Sequence, residues 1–578
     1  MIVDENGGAG GSDPPDIIEI EGGGQPSGVK PRLQVDKANP ERTVTALRDI
    51  FVNAGGLFER GRLVKVIVDP IAGGAVAHVM TPAALIIAAH EISRPWMIKE
   101  TRHGPQEVDC GLPQAMALMY NDHRDWRLMP LNGVASSPLL SADGGIRIAE
   151  GYDEASGLWC ENMPADVADM VPLKPTKDDA ARSLLLIRET FRTFCFADAA
   201  MVNEGCGVRA VDLAQDPGMD ESSFLASFLS APCRPSLWLA PGIAIRAAQI
   251  SGAGTGKGLL VRCICEAAYG RQPSAVTAGG NREELEKRIS TELIEAGPSV
   301  FLDNFNNLTL RSAALASALT ERPARIRVFG KLVNATLNAL AQVFATGNGL
   351  MLAEDLARRF ILTELDAYME DPERRSFAVD VLKEVARRRS QFLAAALTIW
   401  RYGRLAQLTP GEPLGSYESW CAQVRDPLLA LGCRDPVERI SDVKKRDPDR
   451  QALAALFGLW WTYHRDFVVR AHELNEEVRK QIDPQGRGRQ FVAAYLERRV
   501  GARFGGYVFT RQTSPGKWSA ATYKLIRTGE ASDYDDAMNA AGGYRADAAS
   551  ASYAHATGRQ RARAVIDGAD DDGSNAFD

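Results

Sequence analysis

Residues 243–260, IAIRAAQISGAGTGKGLL, constrain the fold more than any other stretch of the chain. An apolar run leads into Gly252, Gly254 and Gly256, then Lys257 and a helical pattern, GKGLLVRCICEAA. Strand, glycine-rich turn and helix in that order build a phosphate cradle. The glycines let backbone N–H groups crowd round an anion, and the helix N-terminus favours its charge. The motif reads G-x-x-x-x-G-K-[ST]. Here Ser251 occupies the first glycine position, and Gly258 the place of the hydroxyl that ordinarily ligates Mg²⁺. Ser251 is small enough for the loop. Gly258 leaves the metal short of one ligand, which a water can replace if a carboxylate lies downstream. The expected ATP-binding set is Gly252, Ala253, Gly254, Thr255, Gly256, Lys257 and Gly258, with ATP and Mg²⁺ as cofactors.

The carboxylate appears in GPSVFLDNFNN, where Val300, Phe301 and Leu302 form a buried-strand run ending in Asp303. Asp303 is the expected Mg²⁺ holder, and Asn304 stands where related ATPases often place a catalytic Glu. In LAQVFATGNGL another apolar run ends at Thr346, Gly347 and Asn348, and EDLARRFILTELD sets Arg358 and Arg359 before a third. Taken singly, these are a strand end, a turn and a solvated helix face. Their order along the chain gives them weight. The expected catalytic set is Lys257, Asp303, Asn304, Asn348, Arg358 and Arg359.

With GAGTGKGLLVRCI, NREELEKRI, SVFLDNFNN, RVFG, FATGNGL, DLARRFILTELD and DPERRSF in view, the chain resembles the helicase-like AAA+ ATPases of prophages and other mobile elements. These are similar in style to superfamily 3 and MCM-type replicative helicases. The resemblance spans about residues 57–525 and is strongest over 243–377. It implies an α/β P-loop AAA+ core in a hexameric ring that moves along single-stranded DNA, with sites shared between neighbours. Under that resemblance Lys257 grips phosphate, Asp303 holds Mg²⁺ and Asn348 is the sensor. Arg358 or Arg359 is then the finger that reaches a neighbouring subunit.

A hairpin before the sensor strand is expected to project into the pore of such a ring. In RIRVFGKLVNATL, Phe329 and Lys331 flank Gly330, a tip suited to base stacking and phosphate contact; a surface loop with a buried Phe is the alternative. Near the C-terminus, GRGRQFVAAYLERRVGARFGGYVF changes from helical to strand period, as a winged helix does. Arg487, Arg489, Arg498, Arg499, Arg503 and Lys517 make it basic. Primer synthesis is not expected, since no paired D-x-D stands on an N-terminal strand and a polymerase needs clustered carboxylates. A separate primase or replication partner remains open.

The expected organisation is a disordered leader over 1–40, an α+β accessory domain over 41–180 and a helical connector over 181–235. The AAA+ core follows over 236–376, a helical region over 377–465, a winged-helix-like domain over 466–530 and a mostly disordered tail over 531–578. The arms IRIAE and GLWCE read as a hairpin turned by DEASG. The nine cysteines include no C-x-x-C pair, which points to reduced thiols. No run reaches the roughly 20 apolar residues of a membrane span. A cytoplasmic protein is expected, and a net charge of −7 confines any nucleic-acid contact to local basic surfaces.

Overall fold

The computed structural model describes residues 30–69, 73–203, 209–248, 252–279, 281–329, 333–375, 377–440, 448–512 and 521–528. The chain divides into two compact units, Met1–Asp447 and Pro448–Asp578.

The first unit is organised by five parallel strands: β1 (Gly242–Ala247), β2 (Ala275–Val276), β3 (Ser299–Leu302), β4 (Gln342–Asn348) and β5 (Phe360–Leu365). Across the sheet the order is β2-β3-β4-β1-β5. Alternation along each strand feeds two cores. Ile243, Ile245, Phe301, Phe344, Ile361 and Leu365 point to one face, where they meet helix α1 (Lys257–Tyr269) through Leu260, Val261 and Ile264. Ala244, Val300, Leu302, Val343, Ala345, Phe360 and Leu362 point to the other, against Leu285 and Ile289 of helix α2 (Arg282–Glu295). A sheet covered on both faces must read as near-continuous apolar runs, and these strands do.

A second contact ties helix Met219–Cys233, buried along its whole length, to the sheet. Asp198 caps it by accepting the N–H groups of Met219 and Asp220 at 2.7 and 2.9 Å. Asp220 accepts the Glu364 N–H at 2.7 Å and pairs with Arg439 at 2.5 Å. Burial, with Asp198 and Glu364 adding to it against the pull of Arg439, pushes the Asp220 carboxyl up to about 7. The unfolded carboxyl titrates near about 4. The folded chain therefore binds more protons between those values, and this group's contribution to stability is lost as pH rises from about 4 to about 7. Asp220→Asn is expected to remove that slope from a series of melting curves across the window; an unchanged slope would place its origin elsewhere.

Ahead of the sheet, strands Leu57–Glu59, Leu63–Asp69 and Gly74–Val79 with Met129–Pro130 form one sheet, and Arg32–Gln34, Arg94–Thr101 and Gly104–Asp109 another. Helices Pro40–Ala54, Pro82–Ile92 and Gln114–Asp122 bury Phe51, Leu85 and Tyr120 among them. Strand Arg32–Gln34 lies inside the expected leader; Leu33 is fully buried there and the strand pairs with Arg94–Thr101, so this part of the leader is folded. The expected hairpin is also displaced. Asp153 accepts the Ser156 N–H at 2.9 Å and its own carbonyl accepts the Gly157 N–H at 2.8 Å. The turn thus closes at once, making Gly151–Asp153 and Leu158–Cys160 the arms. Ile146–Arg147 pairs with Leu139–Leu140 instead.

The second unit holds helices Pro448–Tyr463, Glu476–Ile482 and Arg489–Glu497 with an antiparallel sheet ordered Val469–Arg470, Thr522–Arg527, Tyr507–Gln512, Arg503–Phe504. Its core contains Leu456, Phe457 and Trp460, so the helix that reads as the end of the 377–465 region belongs to this unit. No helix among the described residues is long and apolar enough to cross a membrane. The eight cysteines among them are free thiols. Residues 1–29 and 531–578, and with them most of the expected leader and the tail, lie outside the described residues.

Candidate functional site

The C-terminal ends of β1, β3 and β4 lie side by side on one edge of the sheet. β1 is where the strand order reverses, because the chain leaves it for distant β2 and later returns to its other side at β5. Ligands of open parallel sheets settle in the crevice outside such a switch point.

The loop that follows β1 is held by close approach. A Cβ on Gly252 would lie 2.1 Å from the Ala248 carbonyl oxygen and 2.9 Å from Asn348 Oδ1, so only glycine fits. Gly254 has φ +70° and packs its Cα against the backbone of Glu373. The Thr255 hydroxyl donates to the Gly252 carbonyl at 3.0 Å. Lys257 Nζ donates to the same carbonyl at 2.7 Å and to Thr255 Oγ1 at 3.1 Å. The lysine is half-buried; burial lowers its pKa, while the Asp303 carboxylate acts in the opposite direction. A half-buried cation whose acceptors are one carbonyl and one hydroxyl is poised for a better anion.

Asp303 ends β3 facing the first turn of α1. A Cβ on Gly258 would sit 3.8 and 3.9 Å from its two carboxylate oxygens, ordinary van der Waals contact, so the Asp303 carboxylate lies directly against position 258. The carboxylate is positioned by the Thr346 hydroxyl, which donates to Oδ1, and by the Asn304 N–H at 3.0 Å. Asn304 is exposed, has φ +62° and turns its amide back toward Asp303 Oδ2 at 3.4 Å.

Asn348 ends β4. Its N–H donates to Asn306 Oδ1 at 2.7 Å and its carbonyl accepts the Asn307 N–H at 2.8 Å, which locks the loop after Asp303 to β4. Asn348 Oδ1 is buried without a hydrogen-bond partner among the described residues and faces Gly252.

Lys257, Asp303 and Asn348 are thus brought together, with Asn304 beside them. Arg358 and Arg359 are not. They precede β5 at the opposite edge, where the Arg359 carbonyl accepts the Gly242 N–H at 2.8 Å. A six-residue strand separates that edge from the loop, roughly 20 Å at 3.3 Å per residue. Arg358 is exposed, and Arg359 Nη1 donates to the Asp355 carbonyl at 2.6 Å. Neither can serve its own chain's loop. Phe329 is half-buried at the end of strand Ala324–Val328, with Arg327 and Lys287 at 5.3 and 5.8 Å from its ring. Lys331 lies outside the described residues.

One residue of the site was not singled out from sequence. Arg375, in DPERRSF, donates from Nη2 to the Gly254 carbonyl at 3.1 Å and from Nε to the Pro372 carbonyl at 3.2 Å, over the Phe377 ring at 5.2 Å. Its neighbour Arg374 instead pairs with Asp371 at 3.0 Å and is 78% exposed. Arg375 forms no ion pair with a carboxylate among the described residues; its charge also reaches the buried Cys195 thiol. The paired arginines soon after β5 were the available signal. Compared with known proteins, the chain matches no family model and no curated protein.

Proposed function

We propose that the chain is an ATP-dependent DNA helicase or translocase, an AAA+-type motor working as a ring in the replication of a mobile element. The observation that carries this reading is the convergence of Lys257, Asp303 and Asn348 at the switch-point edge of a parallel sheet ordered β2-β3-β4-β1-β5. The Asn348 Oδ1, unpartnered among the described residues, and the closeness of the Asp303 carboxylate to position 258 support the fit of a hydrated, metal-bound triphosphate. In this reading Lys257 exchanges its loop acceptors for phosphate oxygens, and Arg375 does so from the other side of the apex. Asn348 accepts a hydrogen bond from the attacking water and orients it. Arg358 or Arg359 acts on a neighbour's nucleotide, because its own lies too far away. Asp303 would hold Mg²⁺, with water in place of the hydroxyl that Gly258 lacks, and the ion would supply charge neutralisation. Phe329 and Lys331 are the proposed single-strand contacts.

The alternative is a weakly hydrolysing nucleotide-binding loader or regulatory protein. It is favoured by Asn304, an amide turned onto Asp303 where a carboxylate base is usual. ATP hydrolysis by purified protein, with and without single-stranded DNA, separates the two. DNA-stimulated turnover supports the motor; tight ATP binding without it supports the loader.

Two substitutions test the site itself. Gly258→Ser places a hydroxyl beside Asp303 without a clash. It is expected to lower the Mg²⁺ concentration for half-maximal turnover by about tenfold. An unaltered Mg²⁺ titration would remove the metal from this face. Arg375→Ala is expected to raise KM for ATP about tenfold, the worth of one charge-assisted hydrogen bond. An unchanged KM would confine Arg375 to holding the loop.

A further inference from the structure

We infer that the C-terminal unit carries a double-stranded DNA-binding surface centred on helix Arg489–Glu497, separate from the nucleotide site. The helix buries Val492 and Leu496 against the unit's core. On the opposite side Gln490, Ala494 and Arg498 are exposed, as is Arg489 at its start. The preceding turn is fixed by Asp483, whose carboxylate accepts the N–H groups of Arg487 and Gly488 at 2.9 and 2.8 Å. Helix Glu476–Ile482, this turn and helix Arg489–Glu497 follow one another, with the antiparallel strands Tyr507–Gln512 and Thr522–Arg527 after them. With Gln490, Ala494 and Arg498 exposed, one side of the second helix is open to a partner, and helix-turn-helix and winged modules bind DNA with such a helix.

Charge selects the partner. Arg487 rests over Phe491 at 4.8 Å with Gln485 as its polar acceptor. Arg498 donates to the Ala494 carbonyl of its own helix at 3.2 Å, and Arg499 lies over Tyr495 and donates to its carbonyl at 3.3 Å. Among the described residues none of these guanidiniums, nor that of Arg489, forms an ion pair; the nearby Asp483 carboxylate feels the charge of Arg487 but spends its oxygens on backbone N–H groups. The acid of this helix, Glu497, is engaged by Arg511 at 2.7 Å and by the Tyr523 hydroxyl at 3.1 Å. On the neighbouring helix Lys480 is neutralised by Glu476 at 3.0 Å and Glu477 at 3.5 Å, whereas Arg479 donates to the His472 and Leu474 carbonyls. In a chain of net charge −7, this is a localised cationic face. Small Ala494 and the amide of Gln490 lie between the arginines. They let the helix approach closely while the guanidiniums span phosphates on both sides. A B-form major groove, about 12 Å wide, admits such a helix, whereas the deep, narrow groove of A-form RNA does not.

The test uses the full chain and a blunt, fluorescein-labelled 24-base-pair DNA duplex, with affinity read by anisotropy between 50 and 200 mM NaCl. Arg487→Ala, Arg489→Ala and Arg498→Ala combined should weaken binding at least tenfold and flatten the log–log salt slope by roughly 0.9 per lost contact. The same three positions changed to Lys should keep the slope, which separates lost charge from lost fold. Lys257→Ala should leave duplex affinity unchanged, so that failure of the ATPase reading leaves this one standing. Wild-type affinity and slope in the triple-alanine protein would overturn the proposal. So would equal affinity for a double-stranded RNA of the same length.

Discussion

Lys257→Ala is expected to abolish DNA-stimulated ATP hydrolysis, with turnover falling by about 100-fold or more, the usual cost of removing one preorganised donor from developing charge. The lysine is the one ammonium at the centre of the loop, and its two acceptors, the Gly252 carbonyl and Thr255 Oγ1, are neutral. Neither compensates a half-buried positive charge as a triphosphate would. Removing the side chain leaves both acceptors to the solvent or to each other, since Thr255 already donates to Gly252. The loop geometry is set by Gly252 and Gly254 rather than by the lysine, so the variant should melt at the wild-type temperature. Turnover measured alongside a melting curve therefore checks the assignment. Full activity in a folded variant would end the nucleotide-site reading, and loss of activity together with loss of fold would move Lys257 into a structural role.

The parts of this site that could be read from the sequence are those made by neighbours along the chain. A strand, three glycines and a helix lie within one short stretch, and Asp303 and Asn348 each end an apolar run. What could not be read is what the chain brings back from afar. β2 has only two residues, Ala275–Val276, too few for an alternation pattern, yet it fixes one edge of the sheet. Arg375 gains its meaning from Glu373 packing against Gly254, a contact that spacing does not encode. The same holds for Thr346, whose hydroxyl orients Asp303 across two adjacent strands. The hairpin at 151–160 departs from the expected one for a local reason: the alternation of IRIAE is visible in the sequence, while the Asx turn that closes at Asp153 decides which residues pair.

Arg60 shows how much of the architecture can rest on one such long-range residue. In the sequence it is one more arginine in FERGRLVKV, where a solvated side chain is the ordinary expectation. In the fold it is 3% exposed and donates to five carbonyls: Ile294 at 3.1 Å, Leu293 at 3.0 Å, Leu131 at 3.2 Å, Asn338 at 3.2 Å and Asn132. Two of these belong to the last turn of α2, so the cation also faces the negative end of that helix. Burial pulls the guanidinium down to about 9, which still leaves it charged at neutral pH. Arg60→Ala would strand several buried carbonyls at once, each costing about 1–3 kcal/mol if left without a donor. A net loss of about 4 kcal/mol or more is expected for the first unit, at the upper end of single-residue effects. Arg60→Lys should recover only part of it, because an ammonium has three donors and lacks the planar fork that reaches α2 and both loops together. Thermal melting of the two variants, with limited proteolysis to locate the loosened segment, checks this. Early cleavage between residues 30 and 140 is the expected signature, since that part of the chain is what the guanidinium fastens to α2. A wild-type melting temperature in Arg60→Ala would mean that water replaces the guanidinium at every carbonyl, and that the accessory strands are held to the sheet by their apolar contacts alone.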